Sequence, residues 1–391
     1  MQMPVLHYQT AGESHGPALV TTITGLPAGL VLDMEFINGE LRRRQGGYGR
    51  GGRQKLETDE MEFLCGVRLG RTIGSPLVFQ IRNRDSRLDD PERTPPVHRP
   101  RPGHADLAGS IKWLTTDCRQ TLERASARET ASRVGAGAIA RCLLRHFGIE
   151  FFGFVRQIER ARTEVEVRPD NWRSLVPVRD ASDTYTLDQQ TTEAQRQAIR
   201  KAKEEQDTVG GHVECHVFGC PPGIGSSMDW TSKLDARIAY AVMGIQAFKA
   251  VQIGAGVRCG EVRGSELHDP IGFDPAKKDE PSLGFVRSSN NAGGTEGGMS
   301  NGQPIVVTGT MKPIATLLRG LPSVDLNTRQ PEQSQYERSD VCAVSAASVV
   351  MENVVAFEVA RCFMDKFGGD SMTELEANFH NYMAMARRLP L

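Results

Sequence analysis

Six short runs rich in β-branched and aromatic residues constrain this chain most. Ala18–Thr24, Leu77–Ile81, Phe151–Ile158, His212–Phe218, Val251–Ile253 and Ile305–Thr310 read as strands. Helical patterns lie between and beyond them. Ser126 and Glu129 have capping-box spacing, and Ala131, Val134, Ala138, Cys142 and Leu143 then share one helical face. Leu234, Ile238, Ala241, Val242 and Ile245 repeat that period, as do Val349, Asn353, Ala356, Val359 and Phe363 before Gly368-Gly369. A polar helix is expected over Thr192–Glu205, and Ser371 with Glu374 opens a last one. The spacing is irregular, so the chain reads as mixed α and β and not as a regular βαβ alternation. No repeat or low-complexity linker marks a domain boundary, which leaves one large domain as the expectation.

Charge is distributed unevenly. Between Arg42 and Arg101 stand thirteen arginines and one lysine against eight acidic residues, a net +6 in a chain whose total is −1. A patch rich in arginine and poor in lysine suits a small anion with several oxygens, because the guanidinium fork grips carboxylate or phosphate through two parallel hydrogen bonds. The isoelectric point near 6.8 argues against general binding to nucleic acid or membrane. No apolar run approaches membrane-spanning length, and no segment reads as a signal peptide. Eight scattered cysteines without CxxC spacing fit reduced thiols in a cytoplasmic protein.

Three long stretches lack a regular period: Arg42–Lys55, Asn83–His104 and Ser288–Gln303. Long segments of this kind inside a folded chain are usually functional or disordered. The first contains Gly46-Gly47-Tyr48-Gly49-Arg50-Gly51-Gly52-Arg53, similar to RGG-type RNA-binding elements. It occurs as a single copy in a chain of neutral isoelectric point, which disfavours RNA binding. Gly254-Ala255-Gly256-Val257-Arg258-Cys259-Gly260 follows an apolar run, but its third glycine comes one residue late for a dinucleotide fingerprint and no amphipathic helix follows. No Gly-Lys-Ser/Thr sequence offers a P-loop. His212, Cys215, His216 and Cys220 offer zinc-ligand types; on a strand, His212, Glu214 and His216 share one face and Cys215 the other, so ordinary strand residues are the better reading and no metal is expected.

His15, in Gly12-Glu13-Ser14-His15-Gly16, and His104, in Arg101-Pro102-Gly103-His104-Ala105-Asp106, sit in glycine turns near the arginines and could move protons near neutral pH. Asp340, in Arg338-Ser339-Asp340-Val341-Cys342, could pair with Arg338 or cap a helix. The residues alone describe an enzyme for a phosphorylated or polycarboxylated small molecule and do not name the reaction.

Long segments in fixed order do suggest one. Gly12–Gly16, Arg99–Asp106, Glu123–Thr130, Gly244-Ile245-Gln246-Ala247, Gly293–Gln303, Lys312–Thr316 and Arg338–Val344 leading to Glu352 together resemble the chorismate synthase family, over nearly the whole chain. The resemblance implies an α+β fold, a β-α-β sandwich with a helical layer between two antiparallel sheets, and a homotetramer. It implies loss of phosphate and a ring proton from 5-enolpyruvylshikimate 3-phosphate in a 1,4-elimination that needs reduced FMN (FMNH2) without net redox change. Carried over by position, Arg44, Arg50, Arg101, Arg128 and Arg338 hold the substrate, with NADPH also assigned at Arg44 and Arg50 in some members. His15 protonates the departing phosphate, His104 holds a proton near the flavin, and Asp340 manages the flavin N5 proton. FMN lies against Arg124, Ala125, Ser126, Gln246, Ala247, Gly297, Lys312, Pro313, Ile314, Ala315, Thr316 and Arg338. The reductant is NADPH or a separate flavin reductase, the latter favoured because no extra domain is visible. A redox-active flavin oxidoreductase is the competing enzyme class.

Overall fold

Two antiparallel sheets enclose a helical layer in the computed structural model, which describes residues 6–51, 58–337 and 340–389. Strands β1 (His7–Ala11) and β2 (Ala18–Thr24) form one sheet with Leu77–Arg82 and Glu62–Cys65, in that order. β2 alternates strictly, with Leu19, Thr21 and Ile23 buried, as expected of a sheet with one covered face. The second sheet runs Phe248–Ile253, Ile305–Met311, Gly211–Phe218, Glu150–Ile158 and Ala161–Arg162. All neighbouring strands in both sheets are antiparallel. Each of the six strand expectations falls on an observed strand.

The layer between is built on helices α1 (Met34–Gln45) and α4 (Thr130–His146) and on the helix Val344–Phe367. Of the 24 residues in Val344–Phe367, 21 are buried, so it is covered on all sides instead of presenting one apolar stripe. Small residues permit the close approach. A Cβ on Gly137 of α4 would stand 2.2 Å from the Asn353 carbonyl oxygen, and one on Gly153 would stand 2.8 Å from Glu352 Cβ. Four charges cross this layer: the buried Glu40 and half-buried Arg43 of α1, and the buried Arg141 of α4 and Glu352. Arg43 donates to Glu40 at 2.6 Å and Glu352 at 3.0 Å, while Arg141 lies 2.8 Å from Glu40 and 3.1 Å from Glu352. The closed ring leaves both carboxylates paired, which a buried charge requires.

Several local expectations change. Arg42–Gln45 are the last turn of α1, where three arginines complement the carbonyl end of the helix, so the irregular stretch starts at Gly46. The capping box at Ser126 does not form. Ser126 instead caps a 3₁₀ turn, Ala127–Glu129, by accepting from the Arg128 N–H, and α4 begins at Thr130. Glu129 turns away to accept from Thr10, Arg133 and Gln246, a half-buried set of donors that outcompetes one backbone N–H. The polar helix begins at Gln189, capped by Asp188, and Ser371 caps Met372–Ala386 as expected. Gly254–Gly260 follows a strand of an antiparallel sheet and continues as a 3₁₀ turn, without a dinucleotide-type helix. His216 donates to Glu214 at 2.6 Å and Glu214 also holds Arg156 by two bonds. Among the described residues no cluster of three or more His, Cys, Asp or Glu is arranged for a metal ion.

Candidate active site

The turn between β1 and β2 carries His15, which is almost fully buried. Its Nδ1 lies 2.8 Å from Glu123 Oε1, and its backbone N–H donates to Glu123 Oε2 at 2.8 Å. Glu123 belongs to α3 (Arg119–Ala125), and its own carbonyl accepts from the Ser14 N–H. Asn83 fastens the same turn, donating from Nδ2 to the carbonyls of Glu13 and Gly16. The His15 carbonyl accepts from the N–H groups of Arg87 and Leu88, so the segment after Asn83 is tied to the turn.

His104 is built the same way from a different loop. Its Nδ1 pairs with Asp106 Oδ1, and Asp106 opens helix α2 (Asp106–Trp113). Arg101 clamps that carboxylate with Nε at 2.8 Å and Nη2 at 3.0 Å, then reaches Thr316 Oγ1 with Nη1 at 2.9 Å. Burial would raise the Asp106 carboxyl, but the hydrogen bonds from His104 and Arg101 outweigh it and hold the group well below the usual carboxylate range. Helices α2 and α3 pack at Gly109, where any Cβ would stand 2.2 Å from Thr121 Oγ1. Two carboxylates that orient two histidines therefore ride on adjacent helices.

Arg44, Arg50, Arg101 and Arg128 are largely closed to solvent. Arg44, at the end of α1, and Arg128 both pair with Asp59, whose side chain is wholly buried; Arg128 Nη1 lies 2.6 Å from Oδ1. Arg128 Nε also donates to Asn83 Oδ1 at 2.8 Å, which joins this cluster to the His15 turn. Burial, and beyond it the like charge of Arg128, draws Arg44 below its ordinary value against the opposing pull of Asp59. Two guanidiniums thus share one carboxylate. Arg50 Nη1 lies 2.6 Å from Asp340 Oδ2, and the Gly51 N–H donates to Oδ1 at 2.6 Å. The loop comes this close because Gly49 takes φ +85°, and a Cβ there would stand 2.7 Å from Ile199 Cγ2. Arg338 lies outside the described residues, so its place beside Asp340 is known only by sequence.

Residues expected at the flavin fall into three groups. Lys312 Nζ donates to the Gly103 carbonyl and its backbone N–H to the Ala247 carbonyl, which brings Pro313, Ile314, Ala315 and Thr316 under the His104 loop. Burial and the nearby Lys249 charge lower the Lys312 ammonium. Arg124 donates to the carbonyls of Thr10 and Gly12, with Ala125 and Ser126 following it, and Ser126 Oγ donates to Ser14 Oγ at 3.1 Å. Gln246 Nε2 donates to Glu129, and Glu129 also accepts from Thr10, so Gln246 joins this second group. Gly297 stands apart, in the turn between Thr295–Glu296 and Met299–Ser300 at φ +60°, and hydrogen bonds of the described residues do not connect it to the others.

A family model described as chorismate synthase matches residues 6–364 of this chain. The chain belongs to the chorismate synthase family. Curated relatives named chorismate synthase agree end to end: those of Geotalea uraniireducens (strain Rf4) and Geobacter sulfurreducens (strain ATCC 51573 / DSM 12127 / PCA) are each 49% identical, covering 98% of this chain and all of theirs. A solved structure titled "Crystal Structure of Chorismate Synthase" superposes with a TM-score of 0.79 at 37% identity, over 98% of both chains. The α+β sandwich is therefore the fold of a chorismate synthase. The protein is a carbon–oxygen lyase that eliminates phosphate from 5-enolpyruvylshikimate 3-phosphate to form chorismate, and family membership brings a requirement for reduced flavin. Neither the oxidoreductase reading nor the RNA-binding reading gains support.

Sequence reasoning passed over Asp59, Asn83, Asp106, Glu123 and Glu129 as working parts. Asp106 and Glu123 lay inside segments already singled out, and a carboxylate two residues after a candidate histidine was a usable signal. Asp59 offered none, because nothing local links it to Arg44 and Arg128.

Proposed function

We propose that His15, His104 and Asp340 are the proton-handling groups of this enzyme and that Arg44, Arg50, Arg101, Arg128 and Arg338 hold its substrate. The observation carrying this reading is that both histidines are oriented through Nδ1 by buried carboxylates, Glu123 and Asp106, within an arginine-rich cluster. A donor held in one orientation loses little entropy on reaching its acceptor. His15 gives its proton to the departing phosphate, while the guanidiniums stabilise negative charge growing there. His104 keeps a second proton in place, and Asp340 accepts the proton released in the elimination.

The flavin is FMN in this reading. The residues fit it: Gln246 Oε1 is a buried acceptor without a hydrogen-bond partner, Lys312 supplies a cation, and Arg124-Ala125-Ser126, Ala247, Gly297 and Pro313–Thr316 supply backbone and side-chain contacts. When bound in reduced form it supplies an electron transiently and recovers it as the ring hydrogen leaves. NADPH, or a separate flavin reductase, regenerates the reduced form, with Arg44 and Arg50 as the NADPH-binding candidates. The working protein is one domain per chain, assembled as a cytoplasmic homotetramer. Among the described residues no helix is long and apolar enough to cross a membrane.

His104→Ala and Asp340→Asn test the assignment. Each should lower turnover at least a hundredfold, in line with the usual contribution of acid–base groups, while FMN affinity measured by fluorescence quenching stays near that of the parent. Flavin affinity lost in step with turnover would count against both roles.

A further inference from the structure

Glu123 is fastened to the His15 turn more tightly than a simple ion pair requires. Its carboxylate takes the His15 backbone N–H at 2.8 Å and His15 Nδ1 at 2.8 and 3.1 Å, and Arg119 Nη1 lies 3.6 Å away. Burial alone would raise this carboxyl, but the hydrogen bond and charge of His15, followed by Arg119, hold it below the ordinary carboxylate range. An ionised carboxylate can only accept, so Nδ1 must carry the hydrogen between them. The far side of the ring meets different groups. Nε2 lies 3.3 Å from Arg87 Nη2 and 3.7 Å from Asp85 Oδ2. A guanidinium can only donate, so in the neutral imidazole Nε2 is the bare nitrogen facing Arg87.

We propose that Glu123 is a positioning residue that fixes His15 as the Nδ1–H tautomer and makes Nε2 the nitrogen that delivers the reacting proton. This rests on the reading of His15 as the acid for phosphate departure. The proton passes from Nε2 to a phosphate oxygen as the C–O bond breaks. The imidazolium becomes neutral imidazole, Nδ1–H stays with Glu123, and Glu123 gains no proton. Arg87, already beside Nε2, would meet the phosphate as the proton leaves. Among the described residues, the charged groups facing the ring include Glu123 and Arg119 from α3, and Asp85 and Arg87 from the loop after the strand Leu77–Arg82. Removing Glu123 removes a negative charge that favours the imidazolium.

The test joins a spectrum to a pH profile. Ring ¹⁵N shifts of ¹⁵N-histidine-labelled protein, with the His15 signals assigned by their loss in His15→Ala, are compared in the parent, Glu123→Gln and Glu123→Asp. In the same proteins phosphate release is followed across pH with chemically reduced FMN under anaerobic conditions. The expected result is an Nδ1–H tautomer in the parent and a mixture in Glu123→Gln. With it, kcat falls at least tenfold at a KM within about threefold, and the alkaline limb moves about one pH unit lower, the size of shift one lost charge partner gives. An Nε2–H tautomer in the parent would overturn the proposal. So would a Glu123→Gln protein that loses activity with the tautomer and the alkaline limb unmoved, since that is the behaviour of a merely structural residue. Full turnover in His15→Ala is the separate result that removes the acid role, and this proposal with it.

Discussion

Asp59 and Arg128 form a buried ion pair with 2.6 Å between Oδ1 and Nη1, and the other oxygen of the same carboxylate holds Arg44. One negative charge thus serves two cations brought from α1 and from the turn before α4. Breaking a buried pair by removing one partner costs more than the pair itself contributes, because the survivors stay buried without the charge that balanced them there. Asp59→Asn should lose about 3–5 kcal/mol of stability by urea denaturation. Inorganic phosphate should restore part of that loss where chloride at equal ionic strength does not, because an oxyanion beside the two guanidiniums supplies the negative charge that Asn lacks. Equal effects of both salts would contradict the account of this cluster as an anion-ready site.

Glu358 gives stability a pH dependence of unusual sign. It is buried in the helix Val344–Phe367, and burial, opposed by Arg361 and Arg237 and reinforced by Asp365, pushes its carboxyl up to about 7. Arg361 Nη1 lies 3.1 Å from Oε2 without hydrogen-bond alignment. Between the unfolded carboxylate value near pH 4.3 and pH 7 the native state binds more protons than the unfolded one, so stability falls as pH rises and levels off above 7. The total is up to about 4 kcal/mol by the linkage relation. The depressed carboxylates, with Glu214 at about 2, act the other way: their contribution is complete above the unfolded carboxylate range and is lost as pH falls towards that value. Stability should therefore peak near pH 5, a figure set roughly by where the two effects cross. Glu358→Gln should flatten the limb between pH 5 and 8; a melting temperature independent of that substitution at pH 8 would refute the assignment.

Arg101 makes five side-chain contacts at once, two to Asp106, two to the His104 ring and one to Thr316. Lysine cannot reproduce a planar fork. Arg101→Lys should retain the fold but cut turnover at least tenfold and weaken FMN, because the His104 loop and the Lys312–Thr316 segment lose their common tie; the factor is the order expected for a loosened positioning contact. Steady-state kinetics and a flavin titration on the same preparation check it, and parent-like values in both would show the tie to be dispensable.

Much of the sandwich was legible before the structure. Strands such as Ala18–Thr24 and Ile305–Thr310 announce themselves by period-two burial, which is a local property. Ser371 and Glu374 likewise cap a helix from within four residues. Ser126 and Glu129 carried the same spacing and misled, because the partners that won Glu129 come from β1 and from Gln246, distant in sequence. The candidate site divides along the same line. His15 and His104 stand in conspicuous glycine turns, yet the carboxylates orienting them and the shared Asp59 depend on how α1, α2, α3 and the first sheet meet. Val344–Phe367 was harder to bound than an amphipathic helix, since burial on all sides erases the polar face that marks a period.

Packing between the two central helices is open to a direct test at Gly137. A methyl group there would collide with the backbone of Asn353, which cannot rotate away. Gly137→Ala should destabilise by about 2 kcal/mol or more despite the better helix propensity of alanine. Chemical denaturation decides it, and a neutral or stabilising result would mean that the two helices are farther apart than described.

The central claim is the reaction itself, and an anaerobic assay with chemically reduced FMN and 5-enolpyruvylshikimate 3-phosphate tests it most directly. Phosphate and chorismate should appear in equal amounts over many turnovers with no net oxidation of flavin. Flavin oxidised one-for-one with product, or flavin bound with neither product formed, would contradict the account.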